Sequence, residues 1–222
     1  MGNCLEESRK RIIDFDEKTD KCNINFWVNC KKNPIWTQEE NHGTLFPSSI
    51  VCACREIASY FEKINNDFTK KLNILEVGSG NGYNTRIINV MLNQVIKTTI
   101  IATDLFSYEP SYFNIHSNIL SHDAVKKYGN DCNVLMLISP PCHDFMDYYA
   151  IKTFEEINDK EKFIIYIGEL GASDGAEGMY NYMMNHDLWK LEHRSLVIKF
   201  PDVYGGNTIK EAFIFKSNEI NS

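Results

Sequence analysis

Leu72-Asn73-Ile74-Leu75-Glu76-Val77-Gly78-Ser79-Gly80-Asn81-Gly82 reads as an apolar strand that runs into a glycine-rich turn. Glycines there permit a tight turn and close approach of a ligand to the backbone. Downstream, Gly82–Val95 carries Ile87, Ile88, Met91 and Leu92 at helical spacing. Thr98–Thr103 follows as a second strand. Working outward, Val134–Ser139 and Phe163–Ile167 are continuous apolar runs of strand length, and Met146–Ile157 and Ala176–His186 have helical patterning. Phe106–Leu120 is expected to hold a short helix and a short third strand. Leu191–Phe200 and Glu211–Lys216 close the chain as two strands. Strand–helix alternation with apolar strands implies a parallel sheet covered on both faces. Only about ten residues join the last two strands, short of a parallel crossover. The last strand is therefore expected to run antiparallel.

Upstream, Ile50, Val51, Ala53, Cys54, Ile57, Ala58, Phe61 and Ile64 recur at helical spacing, with Ser48 or Ser49 as cap and an end near Asn65. Residues 1–46 are polar and carry Phe26, Trp27, Trp36 and Phe46. They read either as an extension packed on the core or as a lid. We expect one domain over 1–222, with 1–70 forming an N-terminal extension and helix that serve as lid or substrate wall, and 71–217 forming the core.

The composition sets limits on partners. A net charge of -7 disfavours binding that works mainly by phosphate neutralisation. No apolar stretch is long enough to span a membrane, and no secretory signal is visible. Seven cysteines, an odd number, point to a reducing cytosol. Cys52-Ala-Cys54 lacks zinc-finger spacing and reads as two small buried residues, so no metal is expected. Met1-Gly2-Asn3-Cys4 raises lipidation, but Glu6 stands where a myristoylation signal has Ser or Thr.

The loop spacing discriminates between cofactors. A dinucleotide loop is G-x-G-x-x-G; here the third glycine comes one residue early, and Glu76 stands two residues before the first. This pattern resembles the first motif of the class I S-adenosylmethionine-dependent methyltransferases, E/D-x-G-x-G-x-G, at all four fixed positions. The resemblance implies a three-layer αβα sandwich, with a mostly parallel seven-stranded sheet and an antiparallel last strand. It implies S-adenosyl-L-methionine as cofactor, held by Glu76, Gly78, Ser79, Gly80 and Gly82. Asp104 and Leu105, at the end of the second strand, fall where the family contacts the ribose; a carboxylate suits paired hydroxyl donors. Ser121-His122-Asp123-Ala124 resembles the adenine-contact segment, with Asp123 and Ala124 as contacts; a solvated helix cap is the alternative for Asp123.

On the acceptor side, Ser139-Pro140-Pro141-Cys142-His143 ends an apolar strand in a rigid loop. Ser139 borders cofactor and acceptor, and carbonyls around Ser139 and Pro140 would accept from an acceptor amine. S-P-P followed by an aromatic resembles the motif of enzymes that methylate planar nitrogens. Cys142 replaces the aromatic, and Phe145 is the substitute one turn on. Pro140, Pro141, His143, Phe145 and His42 are thus candidate substrate contacts. Cys142 is read two ways, as a small loop thiol or as the nucleophile of a cytosine-C5 methyltransferase, with Glu169 at the end of the next strand as its catalytic partner. In the direct-transfer reading Glu169 is a pocket residue that orients the acceptor nucleophile together with Ser139, Pro140 and Pro141. Asp174 and Glu177 read as a capping box before a helix.

The expectation is direct methyl transfer to a planar nitrogen or another small acceptor group. The alternatives are a nucleobase methyltransferase acting on RNA or DNA, and a catalytically inactive binding partner. A nucleotide-binding oxidoreductase is disfavoured by the short glycine spacing. The acceptor stays open among small molecule, protein residue and nucleobase, and the sequence does not address oligomeric state.

Overall fold

The computed structural model describes residues 47–64, 71–109, 111–141, 144–157, 161–170, 174–195, 198–201 and 207–218, with side chains at 47–52, 198–201 and 207–210 left aside. Its elements are α1 (Pro47–Ile64), β1 (Leu72–Val77), α2 (Tyr83–Leu92), β2 (Thr98–Thr103), β3 (Ile115–His116), α3 (Ser121–Tyr128), β4 (Val134–Ile138), α4 (Met146–Glu155), β5 (Phe163–Gly168), α5 (Met179–Met184), β6 (Trp189–Arg194), β7 (Ile198–Pro201) and β8 (Asn207–Ser217). Seven strands lie in the order β3-β2-β1-β4-β5-β8-β6, and β7 pairs with β8 beside that line. The first five are mutually parallel. As expected, β8 runs antiparallel to its neighbours β5 and β6.

Side chains alternate across each strand, so the strands feed two cores. Leu72, Ile74, Val134, Met136, Phe163, Ile165 and Ile214 join Ile57, Phe61, Ile87 and Ile88 on the α1/α2 face. Leu75, Val77, Leu135, Leu137, Ile164, Phe213 and Phe215 join Val125, Ile151 and Phe154 on the α3/α4 face. Each fully buried aliphatic or aromatic side chain contributes about 1.5–3 kcal/mol. No described helix is long and apolar enough to cross a membrane. Cys54 is buried in α1; Cys52's side chain lies outside the described set.

Several expected boundaries are corrected. Leu191–Phe200 is two strands. Buried Ser195 breaks the run: its amide donates to Ala212 O at 2.8 Å and its hydroxyl accepts from Ala212 N at 2.8 Å. A side-chain oxygen thus replaces a ladder carbonyl, and the register has already shifted between Leu191 and His193. Both pieces pair with β8, which starts four residues before the expected Glu211. Helix α2 stops at Leu92. Asn93 ends it by donating to Asn89 O at 2.9 Å while accepting from Thr98 N at 3.0 Å. No helix forms in the described part of 106–120. There Asp104, Asn81 and His116 draw the backbone into a strap: Asp104 N donates to His116 O, Tyr112 N to Asn81 O and Ile119 N to Asp104 O. Helix α5 begins at Met179, not Ala176, because Gly178 stands before it at φ 81°. No side chain caps it, so Asp174 and Glu177 form no capping box.

Candidate functional site

The glycine loop turns at the carboxyl end of β1. Gly78, Gly80 and Gly82 all have positive φ, at 71°, 58° and 77°, but they serve different neighbours. A Cβ on Gly80 would meet nothing within 4 Å, so this backbone faces open space. A Cβ on Gly78 would lie 2.6 Å from Met146 Cε, whose side chain covers it. A Cβ on Gly82 would lie 2.7 Å from Phe113 Cβ, so the third glycine seats the 112–115 strap. Ser79 locks the loop to β2, with its amide donating to Thr103 O at 3.0 Å.

Asp104, one residue past β2, is only 7% exposed. Its Oδ2 accepts from Gly80 N and its Oδ1 from Phe106 N, both at 2.8 Å. Burial raises its pKa, and the amides of Phe106, Gly80 and Leu105 pull it back. Each carboxylate oxygen keeps a further lone pair for a ligand.

A cleft of about 600 Å³ opens here, within the range that holds small ligands and cofactors. Gly78, Gly80, Asp104, Leu105, Phe106 and Tyr108 line one side; Leu120, Ser121, His122 and Tyr149 face them; Ser139, Pro141, Asp144 and Met146 close the end at β4. The described lining residues include two carboxylates and no Lys or Arg. A pyrophosphate would find little to neutralise it, whereas an organic cation with a hydroxylated, apolar-flanked body suits the walls. By that test the residues fit S-adenosylmethionine, which carries a sulfonium and an ammonium.

Glu76 is placed differently from a direct ligand contact. It shares a strand face with Leu72 and Ile74, beneath α2, and is not part of the cleft lining. It is 1% exposed, and its Oε2 has no hydrogen-bond partner among the described residues. Burial pushes its pKa up to about 7; Asp104's charge adds to this, and the nearby Thr85 hydroxyl, outside hydrogen-bond geometry in this conformation, lowers it.

Leu120, Ser121 and His122, not Asp123 or Ala124, provide the α3 wall. Ala124 is buried in the α3/α4 core. Asp123's half-exposed side chain lies 3.9 Å from Lys126 Nζ and 3.5 Å from His122 Nε2.

At the acceptor side, Ser139 holds φ 43°, unusual for a residue with a Cβ. Its amide donates to Ile167 O at 2.7 Å, and its buried hydroxyl has no partner among the described residues. Such strain concentrates at ligand sites. Pro140's carbonyl, expected to meet a substrate amine, instead accepts from Gly175 N at 2.9 Å. Pro141 bridges to Asp174, whose Oδ2 accepts from Glu169 N at 2.6 Å. Glu169 is thus joined to Pro141 through Asp174 and is not among the described residues that line the cleft. Phe145 is exposed beside Tyr149, with ring centroids 6.5 Å apart, and lines a separate small cavity. His42, Cys142 and His143 lie outside the described residues, as do Phe26, Trp27, Trp36 and Phe46 of the suggested lid.

Sequence reading missed Asp147. Fully buried, it accepts from Tyr148 N at 2.8 Å and from Ala176 N at 3.1 and 3.2 Å, joining α4 to the 174–176 loop. Burial raises its pKa and the amides of Ala176 and Tyr148 oppose the rise. A lone Asp in a helix's first turn reads as an exposed cap; only the distant Ala176 reveals its burial. Met146 entered the sequence reading only as the start of a helix, and its cover over Gly78 is a further finding.

No family model matches the sequence, and no curated protein does. Solved structures do match. A Listeria monocytogenes protein assigned as a class I S-adenosylmethionine-dependent methyltransferase aligns at TM-score 0.51 and 12% identity, over 89% of this chain and 68% of that one. A Plasmodium falciparum protein assigned as a ribosomal RNA methyltransferase gives 0.40 at 16% identity, over 74% and 97%. The ribosomal protein L11 methylase of Lactobacillus delbrueckii subsp. bulgaricus gives 0.44 at 9% identity, over 74% and 79%. Likeness at these identities is a likeness of fold, and it rests on the first of the three.

Proposed function

We propose that this chain, which has the fold of the class I S-adenosylmethionine-dependent methyltransferases, binds S-adenosylmethionine in its cleft and passes the methyl group to a small acceptor, a planar nitrogen being the leading candidate. The observation that carries this reading is the cleft itself: it lies at the carboxyl ends of β1, β2 and β4, opens over Gly80, and offers Asp104 and Asp144 with no described Lys or Arg. In open α/β sheets, ligands sit in this crevice. The cofactor supplies an electrophilic methyl carbon on sulfur.

The protein's part is to bind and orient. Asp104, its plane fixed by two backbone donors, accepts from vicinal ribose hydroxyls. Leu105 and Phe106 on one wall and Leu120 and Tyr149 on the other exclude water from the base. The carboxylates favour the ligand's positive charge. Buried Glu76 acts on that charge through its field. Ser139 and Pro141 border the cleft below β4, and the acceptor enters there, with the Ser139 hydroxyl as an orienting group. Positioning and desolvation then carry most of the rate. The described rim lacks the basic residues a phosphate backbone requires, which favours a small acceptor over nucleic acid.

Calorimetric titration with S-adenosylmethionine, S-adenosylhomocysteine and NAD tests the reading. The first two are expected to bind and NAD is not. Asp104→Ala removes two charge-assisted hydrogen bonds and is expected to weaken binding about a hundredfold. Binding of NAD in place of S-adenosylmethionine would overturn the assignment.

A further inference from the structure

A second cavity lies on the other side of the first turn of α4. Successive residues of that turn divide between the two spaces: Met146 and Tyr149 line the cofactor cleft, whereas Phe145 and Tyr148 line the cavity. Its volume is about 140 Å³, close to the roughly 150 Å³ that accommodates a benzene-sized guest. Tyr182 and Met179 of α5, with Ala176, Glu177 and Gly178 of the preceding loop, complete it.

Three aromatic rings and one carboxylate thus converge, with no Lys, Arg or His among the described lining residues. Tyr148 and Tyr182 meet edge to face, with ring centroids 5.3 Å apart at 71°. The Tyr182 hydroxyl donates to Glu155 Oε1 at 2.6 Å, which fixes the ring. Lys152 Nζ stands 5.5 Å from the Tyr182 centroid, with its charge answered by Glu155 Oε2 at 3.1 Å. Phe145 is 54% exposed although nothing polar is attached to it. Gly178 has φ 81°, and a Cβ there would meet nothing within 4 Å, so the space above it is open.

The start of α4 borders the cavity, and a bare helix N-terminus repels cations. Here carboxylates answer it: Asp144 accepts from Met146 N at 2.9 Å and Asp147 from Tyr148 N at 2.8 Å. Glu177, in the cavity lining, adds a third carboxylate. Aromatic faces with a carboxylate nearby are the arrangement that recognises alkylated ammonium ions. We propose that this cavity binds the alkylated ammonium head of a small soluble molecule, at a site separate from the cofactor cleft. The proposal stands on the cavity alone and does not depend on the cofactor assignment.

Calorimetry on the full chain tests it, with choline as probe and 3,3-dimethyl-1-butanol as the uncharged isostere. Choline is expected to bind with a Kd on the order of 1 mM or tighter, and the isostere about tenfold more weakly. Phe145→Ala and Glu177→Gln, both changes of exposed side chains, should each weaken choline about five- to tenfold. Asp104→Ala, which alters only the cleft, should leave choline binding unchanged. Equal affinity for the isostere would make this an ordinary apolar hollow. Insensitivity to Phe145→Ala, or loss of binding in Asp104→Ala, would place choline elsewhere. Each of these outcomes overturns the proposal, as does the absence of choline binding.

Discussion

Replacing Glu76 with Gln should make the protein more stable at alkaline pH and change it little in acid. The carboxyl is 1% exposed, beneath α2, and burial lifts its pKa from 4.5 to about 7. Between those two values the folded chain keeps a proton that the unfolded chain has released. Folded stability is therefore fully present below pH 4.5 and is lost as the pH rises through about 7. A rise from 4.5 to about 7, at 1.36 kcal/mol per unit, corresponds to about 3 kcal/mol. Gln has nearly the shape of the protonated acid and does not titrate. Urea unfolding of both proteins at intervals from pH 5 to 8 gives the difference directly, and Asp104 and Asp147, whose pKa values are also raised, are present in both. The stability gap should grow by about 2–3 kcal/mol in favour of Glu76→Gln across that range. A gap that stays constant with pH would refute the argument: the carboxylate would then be charged, and solvated or paired, throughout.

The glycines give a second contrast. Gly82→Ala forces a Cβ to within 2.7 Å of Phe113 at positive φ, and should lower unfolding free energy by more than about 2 kcal/mol in urea. Gly80→Ala meets no atom, so it should cost stability about 1 kcal/mol through φ alone while reducing S-adenosylmethionine affinity more strongly, by calorimetry. Lys162, 5% exposed, donates from Nζ to the carbonyls of Phe154, Glu155 and Ile157 at 2.8, 3.2 and 2.6 Å. Lys162→Met leaves the end of α4 without those donors and should lower the urea midpoint by the equivalent of about 2–3 kcal/mol. An unchanged midpoint would mean that water replaces the ammonium there.

The parts of the site readable from sequence are those made by contiguous residues. β1, the loop after it and β2 with Asp104 form one local unit, and their spacing carries geometric meaning. Strands β4 and β5 were readable because burial on both faces makes them uniformly apolar. The missed parts depend on distant partners. Asp147 answers Ala176, Lys162 answers the end of α4, and Pro140's carbonyl answers Gly175; nothing local distinguishes these residues from surface ones. The break at Ser195 was hidden for a related reason, since a serine leaves the alternation intact and its hydroxyl acts only once Ala212 is opposite. Glu76 shows a further limit: the motif located it, but the side of the sheet it faces follows from strand register, which puts it under α2.

The position of β8 has a consequence for how the chain is made. β5 and β6 precede β8 in the sequence, yet β8 lies between them. Synthesis from the amino end therefore completes β5 before the neighbour that covers it exists. Meanwhile Phe163-Ile164-Ile165-Tyr166-Ile167-Gly168, wholly buried in the finished fold, is an uncharged, β-branched edge able to pair with a second nascent chain. On the ribosome, the fate of this protein turns on the interval between the emergence of Phe163 and that of Phe215. Slow codons or a stop in that interval would favour aggregation as the first failure.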